Sequence, residues 1–174
     1  MPRVETLNNV FTNEFLPHSN ALFNFALSMS KHKEQAEDLV QETLIKAFRY
    51  QKSFESGTNA KSWLFRITQN IFINEYRKKA KRPVQIDFEE VLNFNKLVDK
   101  SPSAFDNSFS DPVALALNSL QADLKTIIIL SDIESFSYEE ISKILDLPMG
   151  TVKTRIHRAR NKMKDKLATI KDRN

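Results

Sequence analysis

Apolar residues recur three and four positions apart over most of the chain, which is the spacing of one helix face. Phe11, Phe15, Leu22, Phe25, Ala26 and Met29 follow it, with Pro17 placed to interrupt the helix they define. Residues 34–50 give a second helix, whose stripe is Ala36, Leu39, Val40, Thr43, Leu44, Ala47 and Phe48. Gly57 and its polar neighbours in "SFESGTNA" break the pattern. A third helix fits residues 60–79 and is expected to bury Trp63, Leu64, Ile67, Ile71 and Tyr76.

Pro83 closes this block, and "KSPSAFDNSFSDP" reads as linker. Between them "VQIDFEEVLNFNKLV" is acidic yet apolar enough to dock as a short helix. Helices are then expected at residues 113–118, 120–134, 138–145 and 150–170. There is no strand alternation and no internal repeat. The predicted fold is all-α: two small helical domains, residues 1–82 and 112–174, joined by a flexible acidic linker over residues 83–111.

Composition agrees with that class. Two glycines and six prolines in 174 residues leave little turn chemistry, and 41% hydrophobic content suffices for real cores. The absence of cysteine excludes disulfides, thiolate zinc sites and thiol nucleophiles. No apolar run reaches the ~20 residues of a membrane span, and the first residues lack a signal core, so no membrane insertion and a cytoplasmic location are expected. The net charge of +4 is modest, but it is segregated. Residues 149–174 hold nine Lys/Arg against two acids, and residues 84–112 hold six acids against two bases. A polyanion partner for one face follows from this.

That face lies in the last two helices. Ser137 followed by Glu140 is a capping-box pattern, with Ile141, Ile144 and Leu145 as the buried side of the helix it starts. Pro148 stops that helix and a new one begins close to Gly150. Val152, Ile156, Ala159 and Met163 then share a narrow stripe, leaving Thr154, His157, Arg158 and Asn161 opposite, with Lys153 on the flank. Two helices around a tight turn, the second presenting such a face, make a helix-turn-helix for the major groove of DNA. Arg158 suits a guanine edge, and His157 and Thr154 suit polar or methyl contacts. Arg155, Arg160, Lys162 and Lys164 are expected to meet phosphates.

"SYEEI", "LP", "GTVK" and "RAR" at residues 137–141, 147–148, 150–153 and 158–160, together with Arg155, resemble region 4 of bacterial extracytoplasmic-function (ECF) sigma factors. "AEDLVQETLIKAFR" and "SWLFRITQNIFINEYRKKAKR" resemble region 2 of the same family, in the same order. The resemblance spans residues 10–82 and 112–168.

It implies an alternative sigma factor that binds core RNA polymerase and directs it to promoter DNA. On that basis Asp38, Gln41 and Glu42, with Leu39 packed beneath, meet the polymerase, whose contacts include the β′ clamp helices and the β subunit. The loop residues Ser56, Thr58 and Asn59 would read the −10 element, with Asn70 at the floor of the pocket for its flipped base. Arg66, Arg77 and Lys78 would grip its backbone. Phe54 and Trp63 flank this loop, and Trp63 reads as core packing. Lys153, Thr154, Arg155, His157, Arg158, Asn161 and Lys162 would meet the −35 element. The linker acids Asp87, Glu89, Glu90 and Asp99 would mimic nucleic acid along the polymerase, and the resemblance implies an anti-sigma factor as a partner.

The competing function is a stand-alone helix-turn-helix regulator, which would need a dimer interface or a sensor domain in place of the first block. Catalysis is not expected. His18, His32 and His157 are scattered without metal or carboxylate spacing, no glycine loop cradles phosphate, and no metal or other cofactor is called for.

Overall fold

The computed structural model describes residues 9–80 and 111–172, and these contain helices and turns but no strand. The chain begins with a π-helical turn at Phe11–Phe15 and a 3-10 turn at Leu16–His18, where Pro17 lies. The interruption expected at that proline is therefore present, and α1 starts only at Ser19 (Ser19–Ser30). It ends on Lys31, whose φ of 63° is left-handed and whose N–H returns to the Leu27 carbonyl at 2.9 Å. The second helix, α2, covers Lys33–Tyr50, and the third, α3, covers Ala60–Ala80.

These helices form the first lobe. Phe15, Leu22, Phe25, Ala26, Met29, Ala36, Leu39, Ala47, Leu64, Phe65 and Ile71 are buried in it. Thr43 and Thr68 meet at 3.1 Å inside the α2–α3 contact, and each hydroxyl also donates to the carbonyl one turn back, Leu39 and Leu64. Both hydroxyls are thus satisfied despite full burial. One stripe residue departs from expectation. Phe48 is 47% exposed although Ala47 and Gln51 beside it are buried, and its ring packs edge to face on Phe11 with centres 5.5 Å apart. Trp63, Ile67 and Tyr76 are partly rather than fully buried.

The second lobe holds α4 (Asp111–Asn118), α5 (Ala122–Ile128), α6 (Tyr138–Leu145) and α7 (Met149–Lys171). The single helix expected over residues 120–134 is divided. From Ile129 to Ile133 the chain widens into a π turn, and Ser135 follows with φ 59°. Leu124, Ile127, Ile129, Leu130, Ile141, Ile144, Val152, Ile156 and Ala159 fill this core. The two lobes pack on each other, and their apolar residues form one continuous cluster. Phe65 of α3 meets Phe136 of the second lobe edge to face, with ring centres 5.0 Å apart. The linker expected over residues 83–111, its docking helix and the acids Asp87, Glu89, Glu90 and Asp99 lie outside the described residues but for Asp111, which begins α4.

Candidate nucleic-acid and polymerase interface

The helix-turn-helix is built from local rules. Ser137 Oγ accepts from the Glu140 N–H at 3.2 Å, and the Glu140 carboxylate accepts from the Ser137 N–H at 2.8 Å, a complete capping box. Helix α6 ends on Asp146, which is left-handed at φ 53°, and the Leu147 N–H returns to the Ser142 carbonyl at 3.0 Å. The tight turn therefore uses Asp146 rather than either glycine. Pro148 caps the next helix, which begins at Met149, so Gly150 sits inside α7.

Val152, Ile156 and Ala159 are buried and Met163 is partly buried, which fixes the rotation of α7. Lys153, Thr154, His157, Arg158, Asn161 and Lys162 are all exposed, and Arg155 is half-buried. The Thr154 hydroxyl donates back to the Gly150 carbonyl at 2.9 Å, so it faces outward as an acceptor and a methyl group. Asn161 Nδ2 lies 3.0 Å from His157 Nε2, which couples two neighbours on this face.

Arg160 is different. It makes two hydrogen bonds to Asp132, Nε to Oδ2 at 3.1 Å and Nη2 to Oδ1 at 2.6 Å. Burial alone would raise the Asp132 carboxyl, but hydrogen bonds from Arg160 and Ser131 and the guanidinium charge hold it below its ordinary value. This pair ties α7 to the π turn, so in the free chain Arg160 already holds a carboxylate partner within the lobe.

In the first lobe, Asp38 and Gln41 are exposed on α2, Leu39 is 3% exposed beneath them, and Glu42 pairs with Lys46 at 3.0 Å. Asp38 and Leu39 also border a groove of ≈ 180 Å³ walled by Phe72, Glu75 and Tyr76 of α3.

The loop before α3 is exposed, but several of its donors already hold partners. Ser56 Oγ donates to Glu14, and the Gly57 N–H approaches the same carboxylate at 3.4 Å. Gly57 has φ 87°, a conformation that favours glycine. Thr58 Oγ1 donates to the Glu55 carbonyl at 2.7 Å. Asn59 caps α3, its Oδ1 accepting from the Ser62 N–H at 2.9 Å, while its Nδ2 donates to Glu140 of the second lobe. Behind the loop, Phe15, Phe54 and Trp63 form an aromatic cluster with ring centres 5.2 to 5.3 Å apart, so both flanking aromatics act as its floor. Further along α3, Arg66, Asn70 and Lys78 are exposed and Arg77 is half-buried.

Lys61 escaped the sequence reading. Its ammonium meets the Glu134 carboxylate at 2.6 Å and the Glu134 carbonyl at 3.0 Å, and lies 5.1 Å from the centre of the Phe136 ring. His18 stands close by. Burial chiefly, and then the Lys61 charge, lower its pKa, with Glu134 opposing.

Among the described residues, then, one lobe carries a capped helix-turn-helix and the other an acidic helix face. Residues 15–82 match sigma-70 region 2, and residues 110–163 match sigma-70 region 4. The chain is 34% identical over 156 residues to the ECF RNA polymerase sigma factor SigE of Mycolicibacterium smegmatis, covering 87% of this chain and 59% of that one. It is 32% identical to EcfG of Rhodopseudomonas palustris over 163 residues, covering 94% of this chain and 86% of the relative.

Among solved structures, the sigma factor RpoE in complex with the anti-sigma factor NepR from Bartonella quintana superposes with a TM-score of 0.68 at 35% identity. That match covers 92% of this chain and 98% of the other. CnrH in complex with the cytosolic domain of CnrY shares the fold, with a TM-score of 0.60 at 24% identity over 93% and 90% of the two chains. The chain belongs to the ECF sigma factors, non-enzymatic initiation factors that direct RNA polymerase to promoters. A stand-alone regulator would have no use for a region 2, so that reading is not favoured.

Proposed function

We propose a division of labour between the lobes. The exposed Asp38 and Gln41 and the half-buried Glu42, on the seat of buried Leu39, dock the β′ clamp helices of core polymerase, with further contacts to the β subunit. Ser56, Thr58, Asn59 and Asn70 read the −10 element, and Arg66, Arg77 and Lys78 hold its backbone. The exposed face of α7, Lys153, Thr154, His157, Arg158, Asn161 and Lys162 with half-buried Arg155, reads and grips the −35 element.

The observation that carries this reading is one chain holding both an exposed acidic helix face and a capped helix-turn-helix with an exposed basic face. The chain acts in the cytoplasm, where polymerase is. An anti-sigma factor is a fitting partner, because the similar RpoE from Bartonella quintana was solved bound to one.

Transcription in vitro with core polymerase on genomic DNA tests the reading. Discrete start sites that are absent with core alone are expected. Duplex binding without co-purification of core polymerase would instead mark a stand-alone regulator.

A further inference from the structure

The outward face of α7 carries side chains that the helix itself has already set. His157 and Asn161 stand four residues apart, which makes them neighbours across one turn, and both are exposed. Asn161 Nδ2 lies 3.0 Å from His157 Nε2. An amide nitrogen offers only protons, so Asn161 donates and Nε2 accepts. The imidazole in this pair is therefore neutral, with its proton on Nδ1. The amide, for its part, no longer turns freely about its last bond.

Held in this way, Asn161 presents Oδ1 and the second N–H of Nδ2 to whatever approaches the face. One acceptor beside one donor is the complement of the adenine edge in the major groove, where the N6 amine donates and N7 accepts. The reversed amide, with Oδ1 against a ring N–H, would present two donors instead. Two donors suit the acceptors of guanine, O6 and N7, or a phosphate. The ring nitrogen that faces Asn161 thus decides which base the same residue fits. Thr154 is set in a similar manner, its hydroxyl donating to the Gly150 carbonyl at 2.9 Å. Fixing such groups before DNA arrives removes part of the ordering cost of the contact.

We propose that His157 is a positioning residue for Asn161, and that the pair reads one adenine of the −35 element. This role rests on α7 being the −35 reader and deepens that reading with a base identity. His157 then acts through its neighbour and not through a base contact of its own.

Two measurements on the full chain test the pair, and the first contains no DNA. Nitrogen NMR spectra taken where the imidazoles are neutral show which ring nitrogen holds the proton. His157→Gln identifies the His157 signals among those of the three histidines. The proton is expected on Nδ1, and Asn161→Ala should abolish the excess of that tautomer. A proton held on Nε2 in the native chain would overturn the pairing.

For the second, holoenzyme assembled from the full chain and core polymerase would enrich duplexes randomised over the −35 element. The native chain should prefer adenine at one position by about fivefold to a hundredfold, the worth of one bidentate contact. Asn161→Ala and His157→Leu should each reduce that preference to about twofold or less, without touching the guanine position that depends on Arg158. The two changes together should cost no more than either alone. His157→Gln keeps an acceptor at the same spacing and should recover most of the preference. Both side chains are exposed, so circular dichroism should not change.

A position that answers to His157→Leu and not to Asn161→Ala would make the histidine a reader in its own right and overturn the proposal. An Asn161-dependent guanine would do the same, since the amide would then face the other way. Enrichment that depends on Arg158 and never on Asn161 removes only the pair. Enrichment that depends on neither removes the −35 reading of α7 and the role of the pair with it.

Discussion

On α7 the outward side chains stand in solvent on a helix fixed from behind by Val152, Ile156 and Ala159. In the loop before α3, by contrast, Ser56, Thr58 and Asn59 already hold partners, two of them carboxylates supplied by Glu14 and Glu140. A major-groove reader can be finished in advance, because duplex DNA presents its edges without rearrangement. A reader of unstacked bases has no ligand until the duplex opens. Its hydrogen-bonding groups must be satisfied by something else in the interval. On the proposed assignment, the difference between the two surfaces follows from that difference in their targets.

The largest expected effect asks whether the first lobe is a polymerase-docking unit at all. Asp38→Arg with Glu42→Arg should weaken holoenzyme assembly by about 3 kcal/mol or more, since each places a like charge where a complementary one is required. Circular dichroism should be unchanged, as both side chains lie outside the core, and co-sedimentation with core polymerase is the measurement. Normal assembly would leave α2 as a merely solvated face. Next, Ile156→Ala removes a 1% exposed side chain from the seat of the recognition helix and should cost roughly 2–5 kcal/mol of stability. Thermal unfolding would show whether this loss stays in the second lobe or, through the shared core, destabilises both.

The reading groups themselves sharpen the contrast. Arg158→Ala should weaken cognate −35 duplex by about 1–3 kcal/mol and relax preference at one base pair, while Lys164→Ala should weaken cognate and scrambled DNA alike. Equal losses on both sequences for Arg158→Ala would show gripping without reading. Asn70→Ala should cost about 1 kcal/mol in open-complex formation and little in closed-complex binding, as seen by permanganate reactivity of the bubble. An unchanged bubble would make Asn70 a surface residue only.

Much of this was legible in the chain before any coordinates. The capping box at Ser137 and Glu140 and the stripe of Val152, Ile156 and Ala159 are local patterns, and helix geometry turns them into a face without further information. Phe48 shows where periodicity fails. It keeps the spacing of the α2 stripe, but it lies at the edge of the buried face, where Ala47 and not Phe48 turns inward. The π turns could not be foreseen, because Ile129–Ile133 has the composition of ordinary helix and its widening answers tertiary packing. Glycine and proline drew attention to residues 148–150, whereas the left-handed residue is Asp146, a type that tolerates that conformation. Lys61 and Glu134 are 73 positions apart, so no window of sequence reveals their pairing.

The smallest effect concerns Arg160, a base of the recognition helix that holds a carboxylate in the free chain. Arg160 holds Asp132 through two hydrogen bonds, yet both side chains retain substantial contact with water, 51% and 36% exposed. Solvent screening keeps such a pair near 0.5–1 kcal/mol, and Asp132→Asn should lower the stability of the lobe by no more than that. The pH dependence has a definite sign. Because the native carboxyl sits below its ordinary value, its contribution is complete above the unfolded pKa of about 4 and disappears as pH falls through the lower native value. In Asp132→Asn that acid-range slope should be shallower. On DNA the same pair makes a sharper distinction. Lys162→Ala should reduce the salt dependence of duplex binding by about one unit, as the loss of one phosphate contact requires. Arg160→Ala should leave the slope unaltered and lower only the melting temperature. A unit change for Arg160→Ala would mean that the guanidinium leaves Asp132 when DNA arrives, and the basic face of α7 would then be one residue wider than it stands in the free chain.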